Sequence, residues 1–541
     1  MRRVLSLLAS VAIALLLLVG LEVALRVVGV GGFDESRASR LKYQQIFLPV
    51  MPRATRTDGV EVFRTTDPRL PYQAVPVEKA EGTLRVFTFG GSAMAGLGFS
   101  PNVTIARHLE QMLARAMPAR TVEVVNLGLV ALPSKKVKLL VFDVLERYDP
   151  DVVVVYSGNN EFLEIHSRKY AEANAGFGQK LRWFMTDTSL YRLVRPAKAY
   201  ESSAQPLSTR DLAQNDERVA HSRIIRDVEM SADEIAAIHD GYERNLGEIA
   251  RAAREAGVPA ILMTVAANWE WRGREDLPDS WAEEVVPAAG EGRDEEYWRA
   301  VVGRIDTELA HSDAKSRHEW LHRRALANEA LGETEDAARD HRAAMNADPS
   351  LRRATDDFAE RVRSAAREEG ARLVDSIEIL AAASPDGVVG FDAFYDYVHL
   401  TPDGALLLAG AVFEELGSLG LLPPDTGLVP GDYLAERRLE LERAEADPWF
   451  VLAWMGVGSD LEAGIAARDL WKYDRMLGEL DAALADDPND VAALVYRANA
   501  AFFRPDGARD AERDWHAAAE LRPDRDEIRA NLALLEGQRR P

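Results

Sequence analysis

The sequence contains no cysteine among its 541 residues. This absence excludes disulfides, thiolate metal sites, a cysteine nucleophile and a lipid-modified cysteine. Basic residues are outnumbered by acidic ones: 65 Lys and Arg compared with 88 Asp and Glu give a net charge of −23. Nucleic-acid binding needs a basic face, so no nucleic-acid partner is expected. With 47% apolar residues, the chain has the composition of a globular protein, and its length predicts two or three domains.

Charge is also missing between Val4 and Leu21, directly after the pair Arg2-Arg3. A helix of this length spans roughly 27 Å, close to the thickness of a bilayer core. Residues 1–32 are therefore predicted to be a transmembrane anchor with the lipid bilayer as its partner, and a cleaved signal peptide is the alternative. Both alternatives place the rest of the chain outside the cytoplasm, on the periplasmic side.

From Leu84 onward, apolar strand patterns alternate with amphipathic helices. Such alternation is typical of an α/β fold with a parallel sheet that is covered on both faces, and ligands bind at the carboxyl ends of its strands. Residues 33–80 lack a clear period and are expected to be a stalk and lead-in. The α/β domain is predicted over 81–425, with helical insertions at 160–238 and 315–370. Its predicted strands are 84–90, 122–126, 151–156, 259–265 and 372–375.

The helical regions carry a recurring signature of small residues. Its spacing resembles one 34-residue tetratricopeptide repeat, in which small residues let two helices approach and a proline stops the second helix. Residues 426–541 are therefore predicted to be a tetratricopeptide-like region and a candidate surface for a protein partner. The inserted unit at 315–349 is expected to pack beside them. The signature occupies Gly332, Ala337, Ala344 and Pro349, and its end recurs at Ala483 with Asp487-Pro488 and at Ala511, Ala518 and Arg522-Pro523.

Four short segments carry candidate chemistry, and three of them follow a predicted strand. A serine on a Gly-rich turn can expose its hydroxyl, although a phosphate-binding loop or a plain tight turn has the same pattern. A glycine after a strand lets a backbone N–H approach a substrate, or relieves crowding. An asparagine can donate to an oxyanion or cap a helix, and an aspartate three residues before a histidine can orient the imidazole. The segments are Phe89-Gly90-Gly91-Ser92, Asn126-Leu127-Gly128, Gly158-Asn159-Asn160 and Asp396-Tyr397-Val398-His399.

In their order and positions, these segments resemble the four sequence blocks of the SGNH (GDSL-type) hydrolase family, over roughly 84–165 and 240–420. The resemblance implies a three-layer, flavodoxin-like α/β fold. It also implies Ser92 as the nucleophile, His399 as the base and Asp396 as the carboxylate that orients it.

The resemblance further implies an oxyanion hole. Its donors are the backbone N–H groups of Ser92 and Gly128 and the side chain of Asn160, because the third family block reads Gly-x-Asn with Gly158 first. Two positions depart from the family, since Gly91 and Glu161 stand where aspartate is common. Neither position supplies the nucleophile or the base.

The activity that the resemblance implies is two-step acyl transfer. A serine esterase acting on an O-acetyl or short-chain ester, with carbohydrate esters among the substrates, is the first expectation. An O-acyltransferase that modifies a cell-envelope polysaccharide is the second. A tetratricopeptide scaffold with a non-catalytic α/β domain is the third.

Two further patterns lie outside the four segments. His318 and His322 satisfy the HExxH zinc pattern, but no third ligand is near them in the sequence, so neither a metal nor another cofactor is expected. Asn268 and Trp269 follow the fourth predicted strand and should lie at the same sheet edge as Ser92. They are candidate substrate-binding residues, with a packed structural pair as the alternative.

Overall fold

A computed structural model of the chain describes residues 2–28, 44–96, 104–174, 229–271, 294–423, 491–502 and 508–523, apart from short gaps, together with scattered residues elsewhere. Helices and strands alternate through most of this length. In chain order they are α1 (Arg2–Val28), β1 (Arg53–Thr55), β2 (Glu61–Arg64), β3 (Ala74–Pro76), β4 (Leu84–Gly90), α2 (Ser92–Ala95), α3 (Ile105–Ala116), β5 (Val122–Asn126), α4 (Ser134–Arg147), β6 (Val152–Tyr156), α5 (Leu163–Asn174), α6 (Ala232–Glu255), β7 (Ala260–Met263), α7 (Glu295–His311), α8 (Arg317–Leu331), α9 (Thr334–Ala347), α10 (Asp356–Glu369), β8 (Arg372–Val374), α11 (Ser376–Ala383), α12 (Pro402–Ser418), α13 (Val491–Phe502) and α14 (Ala508–Leu521).

The main sheet has five parallel strands in the order β5-β4-β6-β7-β8. Every residue of β4 and β6 is buried, which matches the apolar sequence of β6 and the mostly apolar one of β4, where Arg85 and Thr88 are the polar exceptions. The chain leaves β4 for β5 on one side and then crosses to β6 on the other side. This reversal opens a crevice at the carboxyl ends of β4 and β6. The prediction of a parallel α/β sheet is confirmed.

Helices cover both faces of this sheet. On one face α3 packs against α12, and on the other α6 packs against α4 and α10. Local signals fix where these helices begin. The Thr104 side chain accepts a hydrogen bond from the Arg107 N–H before α3, and Ser231 and Glu234 form a reciprocal capping box at α6.

Residues 44–80 form a small antiparallel sheet, β1-β2-β3, that packs on the α/β domain. Phe63 contacts the Tyr148 ring edge-on, with centroids 4.8 Å apart, and the Val50 N–H donates to Asp143 Oδ2 at 2.8 Å. The prediction of a stalk is therefore wrong for this part of the chain, and residues 33–43 lie outside the described residues. Strands of three or four residues are too short to produce a readable period.

Arg85 ties the small sheet to the main one. Its side chain is fully buried within β4 and donates to the carbonyls of Pro76 at 2.8 Å and Tyr148 at 2.7 Å. The Glu123 carboxylate accepts its Nε–H at 2.5 Å. A buried cation is tolerated only when its donors are satisfied, so this arginine holds β3, β5 and the end of α4 at fixed positions.

A helical insert, α7–α9, lies between β7 and β8. Helices α8 and α9 form a hairpin around Gly332, whose φ of +73° suits glycine, and α7 packs against α8. Helix α10 packs against α6 and so belongs to the helix layer of the main sheet. The described parts of the C-terminal pair, α13 and α14, have an apolar cluster of their own around Trp515, separate from the cluster of the insert. The expected single helical layer therefore receives no support.

Two other predicted regions lie largely outside the described residues, namely most of 160–238 and the stretch 434–480. At the N-terminal side, α1 runs from Arg2 to Val28. Within the described part of the chain, no helix has both the length and the apolar character that a membrane crossing requires. The predicted anchor therefore stays a prediction.

If residues 44–80 belong to the domain core, Phe63→Ala should lower the free energy of unfolding by about 3 kcal/mol, because it leaves a cavity beside Tyr148. Phe142, which is 38% exposed on α4, provides the control, and Phe142→Ala should cost about 1 kcal/mol or less. Denaturant unfolding followed by circular dichroism measures both. Equal, small losses would mean that the small sheet contributes little to the core.

Candidate active site

Ser92 begins the short helix α2 directly after strand β4. The strand end is tightly packed, because a Cβ at Gly90 would lie 2.1 Å from the Tyr156 carbonyl oxygen of β6. The turn ends at Gly96, whose φ is +71°. Ser92 is 8% exposed, so its hydroxyl lies at the floor of the crevice between the ends of β4 and β6. The strand-turn-helix geometry thus places the serine at the carboxyl end of β4.

Ser92 forms a continuous hydrogen-bonded chain with two residues that precede α12. Ser92 Oγ lies 2.7 Å from His399 Nε2, and His399 Nδ1 lies 2.6 Å from Asp396 Oδ2. The second carboxylate oxygen of Asp396 accepts the Val398 N–H at 2.8 Å and the His399 N–H at 2.7 Å. Asp396 and His399 are almost completely buried. The structure brings the three predicted residues together in the arrangement that lets a histidine take a serine proton.

Gly128, the second predicted oxyanion donor, follows β5. A Cβ here would lie 2.4 Å from the Ala95 nitrogen, so glycine lets the chain pass against α2. Its N–H, however, donates to Asn126 Oδ1 at 2.9 Å, and the Asn126 amide donates to the Met94 carbonyl at 2.9 Å. The predicted donor is thus engaged by an internal acceptor that sequence spacing could not reveal. In this structure Gly128 supports the serine turn.

Asn160, the third predicted donor, lies beside the serine turn. One N–H of its amide donates to the Leu132 carbonyl at 3.3 Å, and the amide carries a second N–H. A Cβ at Gly91 would lie 2.4 Å from Asn160 Nδ2. In this structure a side chain at position 91 would therefore compete for space with the Asn160 amide.

Glu161, the other departure from the family, caps a helix. Its carboxylate accepts the Ser134 N–H at 2.7 Å and the Ser134 hydroxyl at 2.8 Å, at the first residue of α4. Burial raises the pKa of Glu161 to about 7, against the lowering effect of these two hydrogen bonds. The role of Glu161 is to fix the turn after β6, next to Asn160.

Asn268 and Trp269 are buried, which contradicts their prediction as substrate-binding residues. Asn268 is fully buried, and its side chain donates to the Asp396 carbonyl at 2.9 Å and accepts the Glu270 N–H at 3.0 Å. Trp269 is 4% exposed and packs under Arg342, whose guanidinium lies 5.1 Å from the ring centroid. Because Asn268 and Trp269 follow a predicted strand, the sequence correctly indicated the edge of the sheet at which they lie. It could not indicate the direction of their side chains.

The histidines of the HExxH pattern, His318 and His322, are buried in α8. Among the described residues, the group with metal-ligand spacing is a different one. Glu270, Glu329 and His341 each bring one ligand atom to within 4.8 Å of the others. His341 Nε2 already pairs with Glu329 at 2.9 Å, and Glu270 accepts the Phe391 N–H at 2.7 Å. Each of the three residues therefore already has a hydrogen-bonding partner within the protein.

Sequence reasoning missed two side chains that support the site. Asn126 could have been found, because it ends a strand two residues before Gly128. Arg353 lies between α9 and α10 and donates to the carbonyls of Asn268 and Trp271, the latter at 2.7 Å. No local pattern marks it, since its partners lie more than 80 residues away.

Neither a protein-family description nor a curated protein matches the sequence. Several solved structures are similar to part of this chain. The acetyl xylan esterase AlAXEase is 13% identical, with 62% of this chain and 100% of that chain covered and a TM-score of 0.30. A catalytic mutant of an acetylxylan esterase from Geobacillus stearothermophilus is 12% identical, with 63% and 96% covered and a TM-score of 0.30. A GDSL-like lipase from Bacteroides thetaiotaomicron is 10% identical, with 62% and 88% covered and a TM-score of 0.27.

Proposed function

We propose that this protein is a serine esterase of the SGNH type that hydrolyses an acyl ester, with an O-acetyl or other short-chain ester as the substrate. The observation that carries the proposal is the buried hydrogen-bonded chain from Asp396 through His399 to Ser92. A serine on a strand-to-helix turn, paired with an oriented imidazole, is the arrangement that activates a hydroxyl nucleophile.

In the first step, Ser92 Oγ attacks the carbonyl carbon of the ester while its proton passes to His399 Nε2. Asp396 stabilises the imidazolium that forms. The negative charge on the carbonyl oxygen would be met by the Ser92 N–H and the second N–H of Asn160. Collapse of the tetrahedral intermediate breaks the ester C–O bond, and His399 returns the proton to the leaving alcohol.

In the second step, an acceptor attacks the acyl-serine, and its proton passes to His399. Water as the acceptor completes hydrolysis and regenerates Ser92. A carbohydrate hydroxyl as the acceptor would make the same site an O-acyltransferase. Product analysis by mass spectrometry in the presence of acetylated and free oligosaccharides separates the two, because only transfer creates a newly acetylated sugar.

Helices α8 and α9 pack against each other, and so do α13 and α14. Their proposed role is to bind a protein partner or a polymer, as tetratricopeptide-like units do. A scaffold with a non-catalytic sheet domain is the competing function. The complete hydrogen-bonded chain at Ser92 argues for catalysis, because a site without selection has no reason to keep three buried polar groups aligned.

Ser92→Ala should abolish turnover of a short p-nitrophenyl ester, with a loss of roughly 10³-fold or more in kcat, because the nucleophile is removed. A fluorophosphonate probe should label Ser92 alone in the intact protein, with the labelled peptide identified by mass spectrometry. Turnover by a pure Ser92→Ala sample at the wild-type rate would contradict the esterase proposal.

Asn160→Ala should lower kcat by roughly 10²–10³-fold, because one oxyanion donor is lost. Gly91→Ala should also lower kcat, because the added methyl group should displace the Asn160 amide. If both changes act through that amide, the double variant should be no slower than Asn160→Ala alone. Fully additive losses, or a loss confined to KM, would assign Asn160 to substrate binding.

Location at a membrane is a separate part of the proposal. It rests on the uncharged run from Val4 to Leu21 and on exposed apolar side chains of α1, among them Leu16 and Leu17 at 71% and 69%.

The double change Leu16→Arg/Leu17→Arg should move the protein from the membrane fraction to the soluble one, at about 3 kcal/mol per arginine. Val60→Arg, at an exposed site of the small sheet, should leave it in place. N-terminal sequencing completes the test, because a soluble wild-type form that starts near Gly32 would indicate a cleaved signal peptide.

A further inference from the structure

The segment 348–355 joins the helical insert to α10 and runs along the catalytic domain. We call these residues the insert strap. Its first turn is held by the Asp348 carboxylate, which accepts the Ser350 N–H at 2.9 Å. Leu351 has a φ of +50°, which branched side chains rarely adopt, and its side chain packs against the main core. Tertiary contacts therefore fix the path of the strap.

Arg353 is the most unusual residue of the strap, because its charged side chain is almost completely buried. Its guanidinium donates to the carbonyls of Asn268 and Trp271, the latter at 2.7 Å, and Asp348 lies 3.8 Å away. Burial lowers the pKa of Arg353 to about 10, so it remains a cation at neutral pH. A buried cation is costly, and here two backbone carbonyls and one carboxylate offset the cost.

The residue that Arg353 holds is in direct contact with the turn of the catalytic base. Asn268 donates its side-chain N–H to the Asp396 carbonyl at 2.9 Å and its backbone N–H to the Tyr397 carbonyl at 3.0 Å. It thereby fixes two consecutive peptide groups of the turn that ends at His399. Arg353, Asn268, Asp396, His399 and Ser92 thus form one connected path of hydrogen bonds.

The next residue of the strap reaches the other side of the site. The Ala354 N–H donates to Asn159 Oδ1 at 2.8 Å, and Asn159 immediately precedes the oxyanion candidate Asn160. Two consecutive strap residues therefore hold the turn of the base and the turn of the oxyanion donor. The distance between these turns decides whether the proton acceptor and the oxyanion donor can act on one carbonyl group.

We propose that the insert strap positions the active site, with Arg353 acting through Asn268 on the Asp396–His399 turn and Ala354 acting through Asn159 on the Asn160 turn. The helical insert is then required for catalysis, although Arg353 touches neither the substrate nor a reacting atom. This inference rests on the proposed esterase function, since it assigns a role in that same site.

The test compares Arg353→Met, Arg353→Lys and Asn268→Ala with a matched control in ester turnover. Arg353→Met and Asn268→Ala should each lower kcat by roughly 10- to 10²-fold and leave KM nearly unchanged, because a base misplaced by about 1 Å loses rate and not binding. Arg353→Lys should fall between wild type and Arg353→Met, since an ammonium can reach one carbonyl but not two. The control is Arg361→Met, which removes ion pairs of α10 with Asp240 and Glu243 and should keep the wild-type kcat.

A second measurement separates positioning from folding, because Arg353→Met removes the cation beside the buried Asp348 carboxylate and can lower stability. The rate constant of fluorophosphonate labelling at Ser92 is determined on the soluble, folded fraction, as judged by circular dichroism. A merely structural role lowers the amount of folded protein and leaves the rate constant per folded molecule unchanged. A positioning role lowers the rate constant itself.

The proposed esterase function and the proposed role of the strap predict different results. Wild-type protein that neither labels nor hydrolyses esters would overturn the proposed function and this inference with it. Active wild-type protein whose Arg353→Met and Asn268→Ala variants label and turn over like Arg361→Met would overturn the inference alone.

Discussion

The hydrogen bond between Ser92 Oγ and His399 Nε2 joins residues that are 307 positions apart, and the rest of the site depends on it. Such a bond needs two turns held at a fixed separation. The parallel sheet supplies this fixed separation, because the carboxyl ends of its strands lie along one edge. Strand β4 delivers the serine to this edge, and the loop before α12 delivers the histidine.

Close packing around the serine turn sets the second constraint. At Gly90, Gly91 and Gly128 a Cβ would come within 2.1 to 2.4 Å of a neighbouring atom, which is a backbone atom at Gly90 and Gly128 and the side-chain amide of Asn160 at Gly91. Each glycine has a different neighbour, namely the end of β6, the Asn160 amide and helix α2. The serine turn is therefore fixed from three sides, as a preorganised site requires.

Two buried arginines attach the small sheet and the helical insert to the main sheet in the same way. Arg85 donates to carbonyls of the small sheet and of the end of α4, and Arg353 donates to carbonyls of the turn after β7. The planar guanidinium carries several donors in a fixed geometry, so one side chain can hold two peptide groups. The small sheet and the helical insert are thus attached to the catalytic domain at buried charged groups.

By itself the sequence determined the five parallel strands and the helices between them, because apolar periodicity marks each element. Ser92, Asn160, Asp396 and His399 were singled out by the resemblance of four short segments to the SGNH family, and the first three of those segments follow predicted strands. Only the tertiary structure decided that Gly128 donates internally, that Asn268 supports the Asp396 turn and that residues 44–80 pack on the domain. It also brought Arg353 to the site. These outcomes depend on side-chain direction and on contacts between distant segments, which no local pattern encodes.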